Sequence, residues 1–209
     1  TSRLRIVCHA DHKVEQIEKL ASAVIDAMAE EHRRNSIEVS APSRVPQPLV
    51  VCGTDTDIGK TLVSAILIRA AMRLERAPRY FKPIQTGRDS DTKAVLKLTG
   101  LATENAPAPA VQLSLPASVD QAAEKAGVEI CVKDVLQATK NVLQGSPQST
   151  WILECAGGLR VPMNAREDQA DFLRQLHAPV VLVARSALGT LNHTLLSVEA
   201  LAARRIPLR

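Results

Sequence analysis

Residues 49–61 read LVVCGTDTDIGKT, an apolar run followed by a glycine-containing loop and then Lys60 and Thr61. Apolar residues recur at helical spacing from Gly59 until Pro78, so the stretch predicts a strand, a phosphate-binding loop and a helix in that order. Backbone N–H groups at the start of the helix would face phosphate oxygens. Lys60 would neutralise charge on the β- and γ-phosphates, and the Thr61 hydroxyl would bind Mg²⁺.

The loop departs from the common spacing G-x-x-x-x-G-K-T. Thr54 stands where that pattern has its first glycine, and Gly53 precedes it. A chance GKT at a helix start is the alternative. The strand before it and the amphipathic helix after it favour a nucleotide site.

Beyond this unit the chain alternates apolar runs with helical patterns, which is typical of βαβ units and a parallel sheet. Further strands are predicted at 79–82, 151–155 and 179–184, with another beginning at 206–209, and helices at 91–99, 132–143, around 172–176 and from 191. Residues 49–209 are therefore predicted to form an α/β domain of the P-loop NTPase type. Its sheet is doubly wound and mostly parallel with helices on both faces, and we expect it to be incomplete at the C-terminus.

The first 48 residues follow a different pattern. LRIVCH at 4–9 predicts a short strand, and Asp11 could cap a helix whose apolar stripe runs to Met28. Three prolines make 35–48 a predicted linker. One strand and one helix cannot bury their apolar faces alone, so 1–34 are expected to be the remnant of an upstream domain, and the chain a fragment at both ends.

Composition narrows the class of protein. The chain has 209 residues, is 45% hydrophobic and 2% aromatic, and carries a net charge of +4, which gives no indication of nucleic-acid binding. No apolar run approaches the roughly 20 residues that span a bilayer. The four cysteines, Cys8, Cys52, Cys131 and Cys155, are too widely spaced to suggest a disulfide framework or a zinc site. They indicate reduced thiols and a cytoplasmic protein.

Other polar residues follow the predicted strands. Lys82 opens the motif KPIQTG at a strand end, on the side where open α/β sheets bind ligands, although a surface charge is the commoner role for such a lysine. Asp89 and Asp91 could bind Mg²⁺ or simply cap a helix. Glu154 ends a buried apolar strand, where a carboxylate needs a partner. A metal ion would supply one, and a lysine is the alternative.

These motifs, in this order, resemble the dethiobiotin synthetases, ATP-dependent enzymes that close the ureido ring in biotin biosynthesis. The resemblance covers about residue 49 to the end and includes GTDTDIGKT, KPIQTG, ECAGGLRVP, ADFLRQLHAPVVLVA and LGTLNHT. It implies that ATP phosphorylates a carbamate formed from CO₂, or bicarbonate, and 7,8-diaminononanoate, after which the second amine closes the ring.

The resemblance also implies residue roles. The triphosphate would be wrapped by Asp57, Ile58, Gly59, Lys60, Thr61 and Leu62. Lys60 and Lys82 would be catalytic, and Thr86 would contact the diamine. Thr61, Asp91 and Glu154 would bind Mg²⁺. The backbone of Cys155, Ala156 and Gly157 would contact nucleotide or substrate, with Cys155 standing where the family usually has glycine.

The helix opening at Gly189, Thr190, Leu191 and Asn192 offers N–H groups to a carboxylate, with an ordinary capped helix as the alternative. The resemblance implies that this anchor acts across the interface of a homodimer. His193 is expected to be packed or hydrogen-bonded rather than a catalytic base. The resembled family holds the purine with residues beyond position 209, so this fragment is expected to bind ATP weakly and to form little product.

Residues 2–20 resemble the last strand and helix of 8-amino-7-oxononanoate synthase, which acts earlier in the same pathway. This would make the parent a fusion of two biotin enzymes. An N-terminal extension that folds onto the following domain is the alternative.

For the function, the alternatives are a cobyrinate-type amide ligase, a partitioning ATPase or an inactive remnant. Gly53–Ile58 lacks the early lysine of partitioning ATPases. A glutamine-dependent amide ligase would need a glutaminase domain, for which the sequence leaves no room.

Overall fold

The structure is a computed structural model that describes residues 19, 22, 23, 26, 48–88 and 90–209. The strand predicted at 4–9, the linker apart from Pro48, and Asp89 lie outside the described residues. Lys19, Ser22, Ala23 and Asp26 are helical, in agreement with the helix predicted there.

Four parallel strands form the central sheet: β1 (Leu49–Gly53), β2 (Pro78–Phe81), β5 (Thr150–Gly158) and β6 (Val180–Val183). Their order is β2-β5-β1-β6, so the phosphate loop leaves the sheet from an inner strand. Leu208 forms a parallel bridge to Val180, which confirms that another strand begins in the segment IPLR.

Two short strands that the sequence did not predict, β3 (Ile84–Thr86) and β4 (Val111–Leu113), pair in parallel as a separate sheet. The helices are α1 (Lys60–Arg73), α2 (Asp91–Thr99), α3 (Val119–Ala126), α4 (Val132–Gln144), α5 (Gln169–Leu176) and α6 (Thr190–Ala203), with a 3₁₀ turn at Thr103–Asn105. The predicted short helix at 91–99 matches α2, whereas α3 was not predicted.

Alternation along β5 divides the apolar residues between two layers. Ile152 packs with residues of β1 and α1 in one buried cluster, whereas Leu153 and Cys155 pack with residues of α4 and α5 in another. Each fully buried large apolar side chain contributes about 1.5–3 kcal/mol. The predicted class, a parallel sheet with helices on both faces, is confirmed.

The strand bounds differ from the predicted ones at the functional edge. β2 ends at Phe81, so Lys82 is the first residue beyond the strand, and β5 continues to Gly158. That extension follows a register shift between Val51 and Gly53, after which Gly53 lies opposite Gly158. No helix in the described part of the chain is long and apolar enough to cross a membrane.

Candidate active site

The loop between β1 and α1 has the backbone of an anion site. Gly59 caps α1 in the left-handed region at φ 95°, and Asp57 also has a positive φ of 53°. The first turn of α1 therefore begins directly after the loop, with its N–H groups directed out of the helix end. Lys60 is buried and its Nζ donates to the Asp55 carbonyl oxygen at 2.7 Å, which holds the ammonium group against the loop.

Gly53 explains the unusual glycine spacing. A Cβ there would lie 2.7 Å from Ile58 Cδ1 and 3.0 Å from the Asp55 carbonyl oxygen. The loop folds back so closely over the end of β1 that only glycine fits. Gly158, the neighbour of Gly53 on β5, is similarly close to the loop, since its Cβ would lie 3.3 Å from the Thr54 carbonyl oxygen.

Four side chains from separate parts of the fold meet beside the loop, and we call Thr61, Lys82, Asp91 and Glu154 the site cluster. The Thr61 hydroxyl oxygen lies 3.0 Å from Asp91 Oδ1 and 2.9 Å from Glu154 Oε1. Lys82 Nζ lies 2.6 Å from Asp91 Oδ2 and 3.3 Å from Glu154 Oε1. Thr61 thus contacts both of the carboxylates expected to bind Mg²⁺ with it, although 93 positions separate Thr61 from Glu154.

Asp91 is not the cap of its helix. The N-cap is Ser90, whose side chain accepts from the backbone N–H of Lys93 at 3.2 Å. The Asp91 carboxylate is therefore available to the cluster, while its backbone N–H donates to Gln85 Oε1 at 3.3 Å. Gln85, in KPIQTG, thus connects β3 to the start of α2.

Glu154 is 1% exposed and is held from both sides. Its Oε2 accepts hydrogen bonds from Ser64 Oγ at 2.8 Å and from the Tyr80 hydroxyl at 3.0 Å. Neither Ser64 nor Tyr80 was predicted from the sequence to belong to the site. Ser64 follows Thr61 by one helical turn and Tyr80 precedes Lys82 by two strand positions, so helical and strand periodicity place each on the face of a predicted site residue.

Burial and the neighbouring charges shift the pKa values of the site. Burial, together with the nearby charge of Lys82, lowers the pKa of Lys60 although Glu154 opposes the shift. Burial also disfavours charge on Lys82, but attraction to Glu154 and Asp91 outweighs it and raises the pKa of that lysine. Lys82 likewise outweighs desolvation at Asp91 and lowers its pKa. Burial, then Glu154, raises the pKa of Tyr80 well above its usual value, so the phenol remains a donor.

The oxygen atoms of the site cluster suit a hard cation. Two carboxylates and one hydroxyl converge, and Mg²⁺ in nucleotide sites takes one or two protein carboxylates with phosphate and water oxygens. Among the residues that the structure describes, no group of three or more His, Cys, Asp or Glu could hold a metal. The site cluster thus offers two carboxylates and one hydroxyl to a cation.

Cys155 lies on the opposite face of β5 from Glu154, buried beside the thiol of Cys52. Hydrogen bonding to Cys52, together with burial, raises the pKa of Cys155 well above its usual value. The other residues predicted to contact nucleotide or substrate differ in exposure and backbone geometry. Ile58 and Ala156 are buried and Leu62 is half-buried, whereas Gly157 adopts a positive φ of 64°.

An open cleft of about 370 Å³ lies next to the phosphate loop. Its lining comprises Thr54, Asp55, Thr56, Gly158, Leu159, Arg160, Val161, Pro162, Leu196 and Ser197.

The predicted anchor at 189–192 is less enclosed. Gly189 caps α6 at φ 91° and the Thr190 N–H bonds to the Ala187 carbonyl, whereas Leu191 is 72% exposed.

Three further residues singled out in the sequence, Thr86, Asn192 and His193, lie outside the site cluster. Thr86 ends β3 half-buried, and in 48–88 and 90–209 no hydrogen bond joins its side chain to the site cluster. His193, which was expected to be packed or hydrogen-bonded rather than a catalytic base, is exposed on α6 and is therefore not packed. Asn192, beside it, is exposed as well.

A phosphate loop that leaves an inner strand of a parallel sheet and carries GKT at a helix start, with a carboxylate on the adjacent strand, defines a P-loop nucleoside triphosphatase. A family model described as an AAA domain matches residues 47–209. The kinase domain of the Escherichia coli tyrosine kinase ETK has the same fold, with a TM-score of 0.53 at 16% identity, covering 95% of this chain and 74% of that one.

Curated relatives narrow the class. An ATP-dependent dethiobiotin synthetase of Rhodopseudomonas palustris (strain BisB5) is 45% identical over 77% of this chain and 71% of its own length. One from Nitrobacter hamburgensis is 45% identical over 76% and 70%. A biotin biosynthesis bifunctional protein of Bordetella avium is 42% identical over 78% of this chain and 33% of its own length. The chain belongs to the family of ATP-dependent dethiobiotin synthetases.

Proposed function

We propose that this chain catalyses the ATP-dependent formation of dethiobiotin from 7,8-diaminononanoate and CO₂. The observation that carries the proposal is the site cluster, in which residues of four motifs meet beside the phosphate loop of a chain that belongs to this family. A carbamate oxygen attacks the γ-phosphorus and ADP departs. The second amine then attacks the carbonyl carbon of the mixed anhydride, and inorganic phosphate leaves as the ring closes.

In this proposal the protein aligns reactants and stabilises charge, as in other phosphoryl transfers. Loop N–H groups from Asp57 to Leu62 bind the triphosphate, while Lys60 holds the transferred phosphate. Lys82 is buried and charged, one residue beyond β2, and stabilises the anhydride as it forms. The backbone of Cys155, Ala156 and Gly157 lines the same edge of the sheet.

Mg²⁺ is the proposed metal, held by Thr61, Asp91 and Glu154. When bound, it neutralises charge that develops on the β- and γ-phosphates. Lys82 is 2.6 Å from Asp91 and 3.3 Å from Glu154, so this chain already balances the two carboxylates with one cation. Attraction to Lys82 outweighs burial and lowers the pKa of Asp91, which favours the ionised form that a metal requires.

The diamine is proposed to bind next to the phosphate loop, with Thr86 as a hydroxyl contact. Its carboxylate would bind the N-terminus of α6, at Gly189, Thr190, Leu191 and Asn192, from a second copy of the chain. Exposed leucines on and beside α6 support a homodimer through this helix, since Leu188, Leu191, Leu195 and Leu196 are between 56% and 107% exposed.

We further propose that 1–34 belong to an upstream domain of the 8-amino-7-oxononanoate synthase type, that 35–48 are a linker and that 49–209 form the synthetase domain. The family match from residue 47 supports the last boundary. Limited proteolysis of the whole chain should cut first within 35–48. A cytoplasmic location is part of the proposal, supported by the free thiols of Cys52, Cys131 and Cys155.

The test is which reactants the turnover of the whole chain requires, however slow that turnover is. Phosphate release from ATP should require both bicarbonate and 7,8-diaminononanoate, and mass spectrometry should find a ureido product in equal amount. Turnover that requires glutamine, or that DNA stimulates, would contradict the proposal in favour of an amide ligase or a partitioning ATPase.

A further inference from the structure

The two oxygens of the Glu154 carboxylate have different surroundings. Oε1 lies 2.9 Å from Thr61 Oγ1 and 3.3 Å from Lys82 Nζ, within the site cluster. Oε2 accepts from Ser64 Oγ and from the Tyr80 hydroxyl. Ser64 and Tyr80 are both fully buried, and no role in the proposed reaction has been given to either.

The two donors to Oε2 come from different elements. Ser64 lies on α1 and Tyr80 on β2, so the carboxylate is held between a helix and a strand that are each fixed by the core. A carboxylate is planar, and two donors on one oxygen restrict rotation about its last torsion. Rotation by a quarter turn would break both bonds and leave two buried hydroxyls unsatisfied, which is costly.

Hydroxyl donors also leave the charge of Glu154 intact. A second ammonium group at Oε2 would neutralise the carboxylate and weaken it as a metal ligand, whereas a serine and a tyrosine stabilise the anion without adding charge. Outer hydrogen bonds of this kind orient metal ligands, and their loss typically weakens metal binding about 10- to 100-fold.

We propose that Ser64 and Tyr80 are positioning residues that hold Glu154 so that Oε1 alone faces the divalent cation of the ATP complex. This inference rests on the proposed function, because it takes Glu154 to be a metal ligand. Neither residue touches substrate or nucleotide in this role; both act through Glu154.

The experiment measures metal binding without turnover. Mn²⁺, a paramagnetic substitute for Mg²⁺, is titrated into the whole chain with a non-hydrolysable ATP analogue, and free Mn²⁺ is followed by electron paramagnetic resonance. Tyr80→Phe and Ser64→Ala should each weaken Mn²⁺ binding about 10-fold, and the double variant more. Metal-free binding of the analogue should remain within about twofold, which also shows that the variants fold.

The control is Thr139→Val, which removes another fully buried hydroxyl, one that donates to the Val135 carbonyl within α4, away from the site. It should leave Mn²⁺ affinity unchanged. In steady-state assays, excess Mg²⁺ should restore the turnover of Tyr80→Phe but should not be needed by Thr139→Val. A purely structural role for Tyr80 would not produce this rescue.

Glu154→Gln distinguishes the positioning role of Ser64 and Tyr80 from the proposed metal site itself. If it abolishes tight Mn²⁺ binding while Tyr80→Phe and Ser64→Ala bind Mn²⁺ as the unmodified chain does, the positioning role is wrong and the proposed metal site stands. If Glu154→Gln itself binds Mn²⁺ normally, Glu154 is not a ligand and the proposed metal site fails together with the inference.

Discussion

The site cluster and the N-terminus of α6 are both parts of the proposed site, but they differ in how many contacts hold them in place. Only the site cluster is held by contacts within the chain. Thr61, Lys82, Asp91 and Glu154 come from separate segments and are joined by contacts of 2.6–3.3 Å. At the start of α6, the leucines are exposed and Gly189 meets no neighbour within 4 Å of a Cβ built on it. One region is held together by its own side-chain contacts, whereas the other is open.

The difference separates two kinds of catalytic contribution. Organised charges reduce the cost of reorganisation at the transition state, so removing them should affect turnover most. An open helix end contributes once something else completes it, and we propose a second copy of the chain. Variants of the site cluster should therefore mainly lower kcat, whereas variants at the start of α6 should mainly change dimerisation and the KM for the diamine.

The largest effect is expected from Lys60→Ala, which removes the ammonium group held in the phosphate loop. Turnover should fall about 10³-fold, because Lys60 is assigned to the charge of the transferred phosphate. Product formation by mass spectrometry and nucleotide affinity by calorimetry test this. Lys140→Ala, an exposed lysine on α4, is the matched control. Unchanged affinity together with unchanged phosphoryl transfer would remove Lys60 from the site.

Lys82→Ala should reduce kcat about 10²-fold while ATP affinity changes by less than about threefold. The reason is that its proposed contact with the forming anhydride is strongest in the transition state. Burst-phase kinetics and equilibrium binding measure the two quantities separately. A loss of ATP affinity as large as the loss of kcat would make Lys82 a nucleotide-binding residue instead.

Leu191→Asp tests the open region. A charge at this exposed position should disrupt the proposed dimer and raise the KM for the diamine about 10-fold, with metal-dependent ATP binding unchanged. Sedimentation velocity measures the first effect and initial rates the second. Leu115→Asp, at a leucine 39% exposed outside α6, should change neither. A monomeric wild-type chain with full activity would contradict the dimer.

A smaller effect concerns Asp91 and pH. Lys82 lowers the pKa of Asp91 below its usual 3.8, so the ion pair stabilises the fold above that pH, and the contribution disappears as pH falls through the lower folded-state pKa. Asp91→Asn should therefore cost about 1 kcal/mol at pH 7, since the carboxylate is partly exposed. Urea unfolding from pH 7 to pH 2 without metal should show the difference narrowing. A difference that is constant with pH would exclude the ion pair as its cause.

The smallest effect should come from Cys155→Ala. The thiol faces the core on the side away from Glu154, so turnover should stay within about twofold while unfolding becomes easier by about 1 kcal/mol. Activity and thermal unfolding, compared with Cys131→Ala at a half-buried position, distinguish the two effects. A large change in turnover would mean that Cys155 shapes the site after all.

Much of the site could be predicted because several of its residues lie at recognisable junctions. Lys60 and Thr61 follow a glycine at a helix start, and Lys82 and Glu154 follow or end apolar runs. Ser64 and Tyr80 could not be identified in this way. Their role depends on β5 lying between β1 and β2, a strand order that local patterns do not determine.

The short elements were harder to predict than the long ones. β3 and β4 have three residues each, too few for alternation to be distinguished from chance, and they form only by pairing with each other. α3 has eight residues and only three buried ones, so its apolar stripe is short. The extension of β5 to Gly158 depends on its contact with Gly53, which is a tertiary effect.

The contact between Lys82 and Asp91 closes a loop over the eight residues from 83 to 90. One residue inserted before Gln85 would reverse the faces of Gln85 and Thr86 in β3, and one inserted after Thr86 would move the start of α2, so either change would disturb the contact between the acid and the lysine. By contrast, the connector at 103–110 follows α2 and lies outside this closed loop. Length variation among relatives should therefore accumulate at 103–110 and be rare at 83–90, because the length of the segment from Lys82 to Asp91 sets the distance between its two charged ends.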